Sequence, residues 1–437
     1  MKIAIIAPSG IPYAVGGAEK FWWGMLQSLN KLTNHEVELI KVPCRENSFW
    51  DIIAAYRQFS ELNLDHFDLL ISTKYPAWMV KHPNHYCYLQ HTLRGLYDTY
   101  PKDMPLEVEG APDELRPLLH LLDESPARSL LSAVFTELDS LRSMEASPSS
   151  PLAAWTHLPG PLLRKIVHWM DAVGKHPDNI QRFFAISKNV TQRVGYFPQG
   201  VPVQVLHHPS DLGNELAEIE PEYQRYFFTA SRLDAPKRLD MLIKAFRQVE
   251  GDIELRIGGD GPEREALQGL AAGDSRIHFL GRITDAELKR QYSHSLCVPF
   301  IPFDEDYGLI TLEAMQAGKA VITVADSGGV NELVTSGENG LSVAPTVEAL
   351  SAGLQRLADD RGLALHMGMR ARQSVSGIQW SSIVEELLAR VEMPDVLPAA
   401  EQSTEFLPES VGANGARAKI VVAVSFPVYP PRGGWQN

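Results

Sequence analysis

Cysteine is scarce: 437 residues carry three, Cys44, Cys87 and Cys297. An odd number of widely spaced thiols gives neither a disulfide framework nor a metal-ligand pattern, and a reducing cytoplasm is the default. Long apolar runs are missing too. None approaches the ~18 residues of a membrane span. The apolar opening KIAIIAP is only about a strand long before Gly10, Gly16 and Gly17 follow, so it reads as a buried first strand rather than a signal peptide. Positive charge is not in excess: 40 Lys+Arg against 54 Asp+Glu leaves −14, which argues against a nucleic-acid partner. With 44% hydrophobic and 22% charged residues, the composition is that of a folded chain, long enough for two ordinary domains and a tail.

The richest stretch is 299–318, PFIPFDEDYGLITLEAMQAG. An apolar strand over 295–301 leads into a loop, and apolar residues then recur at helical spacing from Leu309. Glu305 falls on the strand-to-helix loop and Glu313 on the second helical turn, with Tyr307 and Gly308 at the helix start. The first amides of that helix, at Leu309 and Ile310, point back to the loop and suit an anion. An acid, an anion hole and a second acid in series fit a ligand with hydroxyls at both ends and phosphates between, as in a sugar nucleotide.

Around this stretch the chain alternates strand and helix, the βαβ signature of parallel, helix-covered sheets. Strands are expected at 2–8, 37–42, 67–72, 85–90, 182–186 and 203–207, then at 226–230, 253–258, 277–280 and 320–324. The fold expected is α/β: two Rossmann-like, doubly wound domains facing across a cleft. Residues 1–208 form the first, with a helical insertion at about 101–175; 209–224 is a linker; 225–391 is the second. The insertion has amphipathic segments at 113–124, 126–145 and 161–173. A helical cover packed on the core is its simplest reading, against a face that meets membrane or an acyl chain through Trp155 and Trp169. Residues 392–418 are Pro-, Ala- and Glu-rich and read as a second linker. Residues 419–437, KIVVAVSFPVYPPRGGWQN, repeat the logic of the first twenty and are expected to begin a second, similar domain. The alternative is a strand added to the first sheet.

Gly16 and Gly17 lie on a strand-to-helix turn where backbone approaches a ligand. His91 falls at the carboxyl end of a strand, where open α/β sheets bind ligands; a His satisfied within its loop is the equal alternative. Arg232 and Lys237 flank a helix start, where two cations are unfavourable unless an anion binds.

In order and spacing, GGAEKF at 16–21, FFAISKNV at 183–190, SRLDAPKRLD at 231–240, IGGDGPE at 257–263, IHFLGRI at 277–283, EDYGLITLEAMQAGKAVI at 305–322 and GGVNELV at 328–334 resemble the retaining, sugar-nucleotide-dependent glycosyltransferases of family 4, which have the GT-B fold. HTLRGLYDTY at 91–100 resembles the mannosyltransferase branch. The resemblance implies that Arg232 and Lys237 hold a diphosphate, Glu313 the ribose hydroxyls and Glu305 the transferred sugar. It places Gly16 and Gly17 at the phosphates or sugar, His91 near the reacting centre, and backbone at Arg282 and Ile283 on the base. It implies a metal-independent hexosyltransferase using GDP-mannose, a glycan or lipid-linked glycan acceptor, and a cytoplasmic location, peripheral at the inner membrane face. The chain departs from the common pattern at Asp306, where Gly is usual, and at Lys319-Ala320, where x-Pro is usual. Alternatives are a UDP-glucose or UDP-GlcNAc donor, a metal motif at Asp304-Glu305-Asp306, and a non-catalytic sugar-nucleotide-binding or assembly module of a tandem enzyme.

Overall fold

The computed structural model describes residues 1–10, 16–145, 151–389 and, by backbone alone, 419–422. Two parallel sheets organise them. The first contains β1 (Lys2–Gly10), β2 (Glu36–Cys44), β3 (Leu69–Lys74), β4 (His85–His91), β5 (Arg182–Ala185) and β6 (Val203–Val205). The second contains β7 (Tyr226–Ala230), β8 (Glu254–Gly258), β9 (Ile277–Gly281), β10 (Cys297–Pro299), β11 (Ala320–Val324) and β12 (Gly340–Val343). β13 (Lys419–Val422) lies on the edge of the first. Central strands are apolar throughout because helices cover both faces: Ile3 to Ala7 and Ala320 to Ile322 are fully buried.

Strand order fixes where a ligand fits. The first sheet runs β13-β2-β1-β3-β4-β5-β6 and the second β12-β11-β10-β7-β8-β9. Chain direction therefore reverses between β1 and β3, and again between β7 and β10. Crevices at such reversals, outside the carboxyl ends of the strands, are where open α/β sheets bind ligands. Here the two crevices face each other across one cleft. A single apolar cluster continues from the first sheet through Phe228, Leu312, Met315 and Val330 of the second unit, and a separate core fills that unit's far face.

The insertion forms helices Arg116–Asp123, Leu131–Glu145 and Pro161–Gly174. They bury Leu118, Leu138 and Ile166, and Trp169 is only 5% exposed, so its ring is not available to a membrane face. Trp155 packs half-buried on the same core. Among the described residues no helix is long and apolar enough to cross a membrane.

Two expectations change in detail. The 209–224 stretch is not a bare linker: Gly213–Glu218 is a short helix whose first residue sits against the Gln316 side chain. The last helix, Trp380–Leu388, leaves the second unit and returns to the first. Its Trp380 ring lies so close to Gly24 that a Cβ there would come within 2.6 Å, and Arg182 donates to the Leu387 carbonyl at 3.2 Å. β13 pairs in parallel with β2, Lys419 opposite Glu38, so these four residues extend the first sheet. The proposed linker at 392–418 and the residues after 422 lie outside the described residues.

Candidate functional site

The loop after β10 makes two left-handed turns. Asp304 adopts φ 45, which an Asp tolerates, and Gly308 adopts φ 83 with Val330 Cγ2 only 2.7 Å from where a Cβ would stand. Gly308 is the N-cap of helix Leu309–Gln316, and no side chain caps it. The leading amides at Leu309 and Ile310 therefore face the cleft.

Glu313 projects from the second turn of this helix. It is 8% exposed, accepts from Ser210 Oγ at 2.6 Å and from Tyr292 OH at 3.2 Å. Burial pushes its carboxyl above the usual range, while the two hydroxyl donors pull it back. Glu305 points into the same cleft, and its Oε2 accepts from Lys237 Nζ at 2.6 Å. Its main chain is pinned on both sides: Glu305 N donates to Ser327 O at 3.2 Å, and Gly329 N and Asn189 Nδ2 donate to Glu305 O at 2.8 and 2.9 Å.

From the first unit, Gly16 and Gly17 open helix Gly17–Leu32 directly opposite Leu309: a Cβ on Gly17 would lie 3.6 Å from its side chain. His91 ends β4. Its Nδ1 lies 2.8 Å from Thr92 O, which places the proton on Nδ1 and leaves Nε2 as an acceptor. Burial, then the nearby Lys74, lower its pKa to about 4, so it is neutral at physiological pH. Arg232 is 77% exposed with its nearest carboxylate, Asp234, 3.7 Å away, and Arg282 is 87% exposed with Asp260 at 3.6 Å. Both guanidinium groups are free to swing toward an anion.

These residues line one cleft of about 1490 Å³ between the carboxyl ends of the two sheets. Every expected site residue except Lys237 is on its wall: Gly16, Gly17, His91, Arg232, Arg282, Ile283, Glu305, Tyr307, Gly308, Leu309, Ile310 and Glu313. Lys237 stands behind Glu305. Tyr307 is buried, and its OH donates to His208 O at 2.9 Å, so it braces the loop.

Sequence reasoning missed Ser210 and Tyr292, which hold Glu313, and Lys20, which reaches across the cleft to Asp285 at 3.8 Å. It also missed the partners of Asp304 and Asp306. Arg193 Nη1 lies 2.8 Å from Asp304 Oδ2, and its Nη2 lies 2.6 Å from Asp306 Oδ1. Those carboxylates face arginines, as a pair of metal ligands would not. Among the described residues no group of three His, Cys, Asp or Glu could hold a metal ion.

Residues 216–374 match the family described as "Glycosyl transferases group 1". The chain is 31% identical over 179 residues to the exopolysaccharide phosphotransferase SCO2592 of Streptomyces coelicolor, covering 37% of this chain and 19% of that one. It is 24% identical over 188 residues to the alpha-1,3/1,6-mannosyltransferase ALG2 of Dictyostelium discoideum, covering 37% and 44%. The chain thus spans less than half the length of either relative. The crystal structure of Anabaena Alr3699/HepE in complex with UDP and glucose superposes with a TM-score of 0.55 and 15% identity, over 89% of this chain and 98% of that one. This likeness shows the fold: α/β, two doubly wound parallel sheets in the GT-B arrangement.

Proposed function

We propose that this chain moves a hexose, mannose from GDP-mannose, onto a hydroxyl of a glycan or lipid-linked glycan in cell-surface polysaccharide synthesis, with retention of configuration and no metal. One observation carries the reading: two carboxylates, Glu305 and Glu313, flank an uncapped helix start in the same cleft as the exposed, loosely paired Arg232. In this reading Glu313 accepts from the ribose hydroxyls and Glu305 from hydroxyls of the transferred sugar. Arg232 and the amides at Leu309 and Ile310 take the diphosphate, joined by Lys237 once its bond to Glu305 is shared. Gly16 and Gly17 let the first unit close on the phosphates, and backbone at Arg282 and Ile283 meets the base.

The reaction breaks the bond from the anomeric carbon to the diphosphate oxygen. The acceptor oxygen bonds to that carbon, and its proton passes to the departing phosphate. Negative charge grows on the leaving group, and fixed cationic and N–H groups lower the barrier where it grows. Glu305 is held by Lys237 and serves as a hydroxyl acceptor rather than a nucleophile, which favours attack on the face the diphosphate leaves. Neutral His91 is suited to accept from a sugar hydroxyl through Nε2. The HTLRGLYDTY segment and the mannosyltransferase relative support mannose. The UDP and glucose named for the Anabaena structure support a UDP-sugar as the second reading. Peripheral contact with the inner membrane face belongs to the lipid-linked acceptor reading.

The test is a donor titration of the full chain with GDP-mannose, UDP-glucose and UDP-GlcNAc, with and without chelator, beside Glu313→Ala. Binding of one donor, unaffected by chelator and lost in the variant, supports the reading. Activity that disappears in chelator and returns with Mn²⁺ overturns the metal-free part. Binding without transfer points to a non-catalytic sugar-nucleotide module.

A further inference from the structure

The loop that carries Glu305 is held from both units: its amides at 304 and 305 donate to Asp326 O and Ser327 O of the second, and its carbonyls are gripped by side chains of the first. All three main-chain carbonyls of residues 304–306 are taken from that side: Asp304 O by Arg193 Nη2 at 2.9 Å, Glu305 O by Asn189 Nδ2 at 2.9 Å, and Asp306 O by Ser187 Oγ. Both flanking carboxylates are taken as well. Arg193 Nη1 meets Asp304 at 2.8 Å, Arg193 Nε meets Asp306 Oδ1 at 2.8 Å, and Arg94 Nη1 meets Asp306 Oδ2 at 3.2 Å. Asp98 fixes both guanidinium groups, at 2.6 Å from Arg94 and 2.9 Å from Arg193, and Tyr196 OH donates to Asp98 at 2.6 Å. The cluster of three carboxylates and two guanidinium groups centres on Arg193, 5% exposed, with Arg94 at 30% and Asp304 at 39% on its rim. Such clusters add little net stability but fix geometry, because any displaced member is left uncompensated. The Glu305 carboxylate is the one side chain of the three that turns away, into the cleft.

We infer that Asp306 and Arg193 are positioning residues that set the Glu305 loop from across the interface, completing from the first unit the hold that Ser327, Gly329 and Lys237 give it from the second. This rests on the reading of Glu305 given above. A misplacement of about 1 Å at a reacting group costs about 10²-fold in rate, which is the leverage such a cluster has.

The test compares the full chain with Asp306→Asn and with Arg94→Gln, the latter at a more exposed member of the cluster. Three readouts are taken: affinity for GDP and UDP, kcat against KM with the donor, and hydrogen exchange of the 304–305 amides. The expected result is unchanged nucleotide affinity, a kcat about 10²-fold lower in Asp306→Asn, and faster exchange at 304–305. Arg94→Gln shifts the same readouts less, and the double variant is no worse than Asp306→Asn because the two sites are coupled. A wild-type kcat, a loss of nucleotide affinity equal to the loss of kcat, or unchanged exchange overturns the inference. If the unaltered protein binds no nucleotide, the functional reading fails, and exchange alone then decides: amides that loosen in the variant uphold the positioning role, and amides that do not overturn it.

Discussion

Glu313 shows how one side chain carries opposite demands. Its carboxyl is pushed up by burial, so folding disfavours its charged form relative to the unfolded chain. The sign follows from linkage: for an acid whose folded pKa lies above its unfolded one, stability falls as pH rises through the folded value. Glu313→Gln should therefore raise the thermal midpoint at pH 8, with a gain that shrinks as pH drops below the raised pKa. The same change should weaken donor binding by about tenfold or more, the worth of one charge-assisted hydrogen bond. Calorimetry at several pH values and a donor titration check both. Ser210→Ala removes a donor to the ionised form, and should shift the acid limb of donor binding to higher pH. Lys319 is the mirror case. It is fully buried, its ammonium donates to Glu222 O and lies 3.7 Å from the Tyr223 ring, and burial lowers its pKa to about 7. A base with a lowered folded pKa contributes stability that rises from pH 7 toward the ordinary lysine range. Lys319→Met should flatten that slope in denaturant titrations run from pH 7 to 10.

At the scale of elements, the loop and helix 304–316 depend on one glycine. Gly308→Ala places a methyl at φ 83 and within 2.7 Å of Val330. The left-handed position alone costs about 1–3 kcal/mol. The clash should tilt the helix start as well, so the expected outcome is lower stability together with weaker nucleotide binding. The elements were readable to different depths. β7 and β11 were bounded to the residue, because each is a short apolar run between turn residues. β12, Gly340–Val343, was not foreseen: four residues on a sheet edge, with Ser342 and Val343 only half-buried, leave no pattern to detect. Glu305 and Glu313 were legible because their spacing is local. The bond from Ser210 to Glu313 spans 103 residues and that from Arg193 to Asp306 spans 113, and no periodicity encodes such pairs. Asp306 did stand out as a departure at a position where Gly was expected, but its partners were visible only in three dimensions.

At the scale of the whole molecule, the chain crosses between units twice, once near 206–225 and again before Trp380. Trp380 fills the space above Gly24 and stacks beside Phe21 and His208. Trp380→Ala removes a half-buried ring and should cost about 2 kcal/mol, with hydrogen exchange rising in Trp380–Leu388 before anywhere in the second sheet. The double crossing works as a clasp, two passes of chain fastened to each other. The two crossings lie side by side: His208 of the first stacks on Trp380 after the second, and Arg372 donates to Ile219 O at 2.7 Å. A protease that nicks the backbone near 219–222 should leave two fragments that still elute together and still present one cleft. The chain is thus tied to itself at one corner of the cleft by contacts that outlast a cut in either crossing.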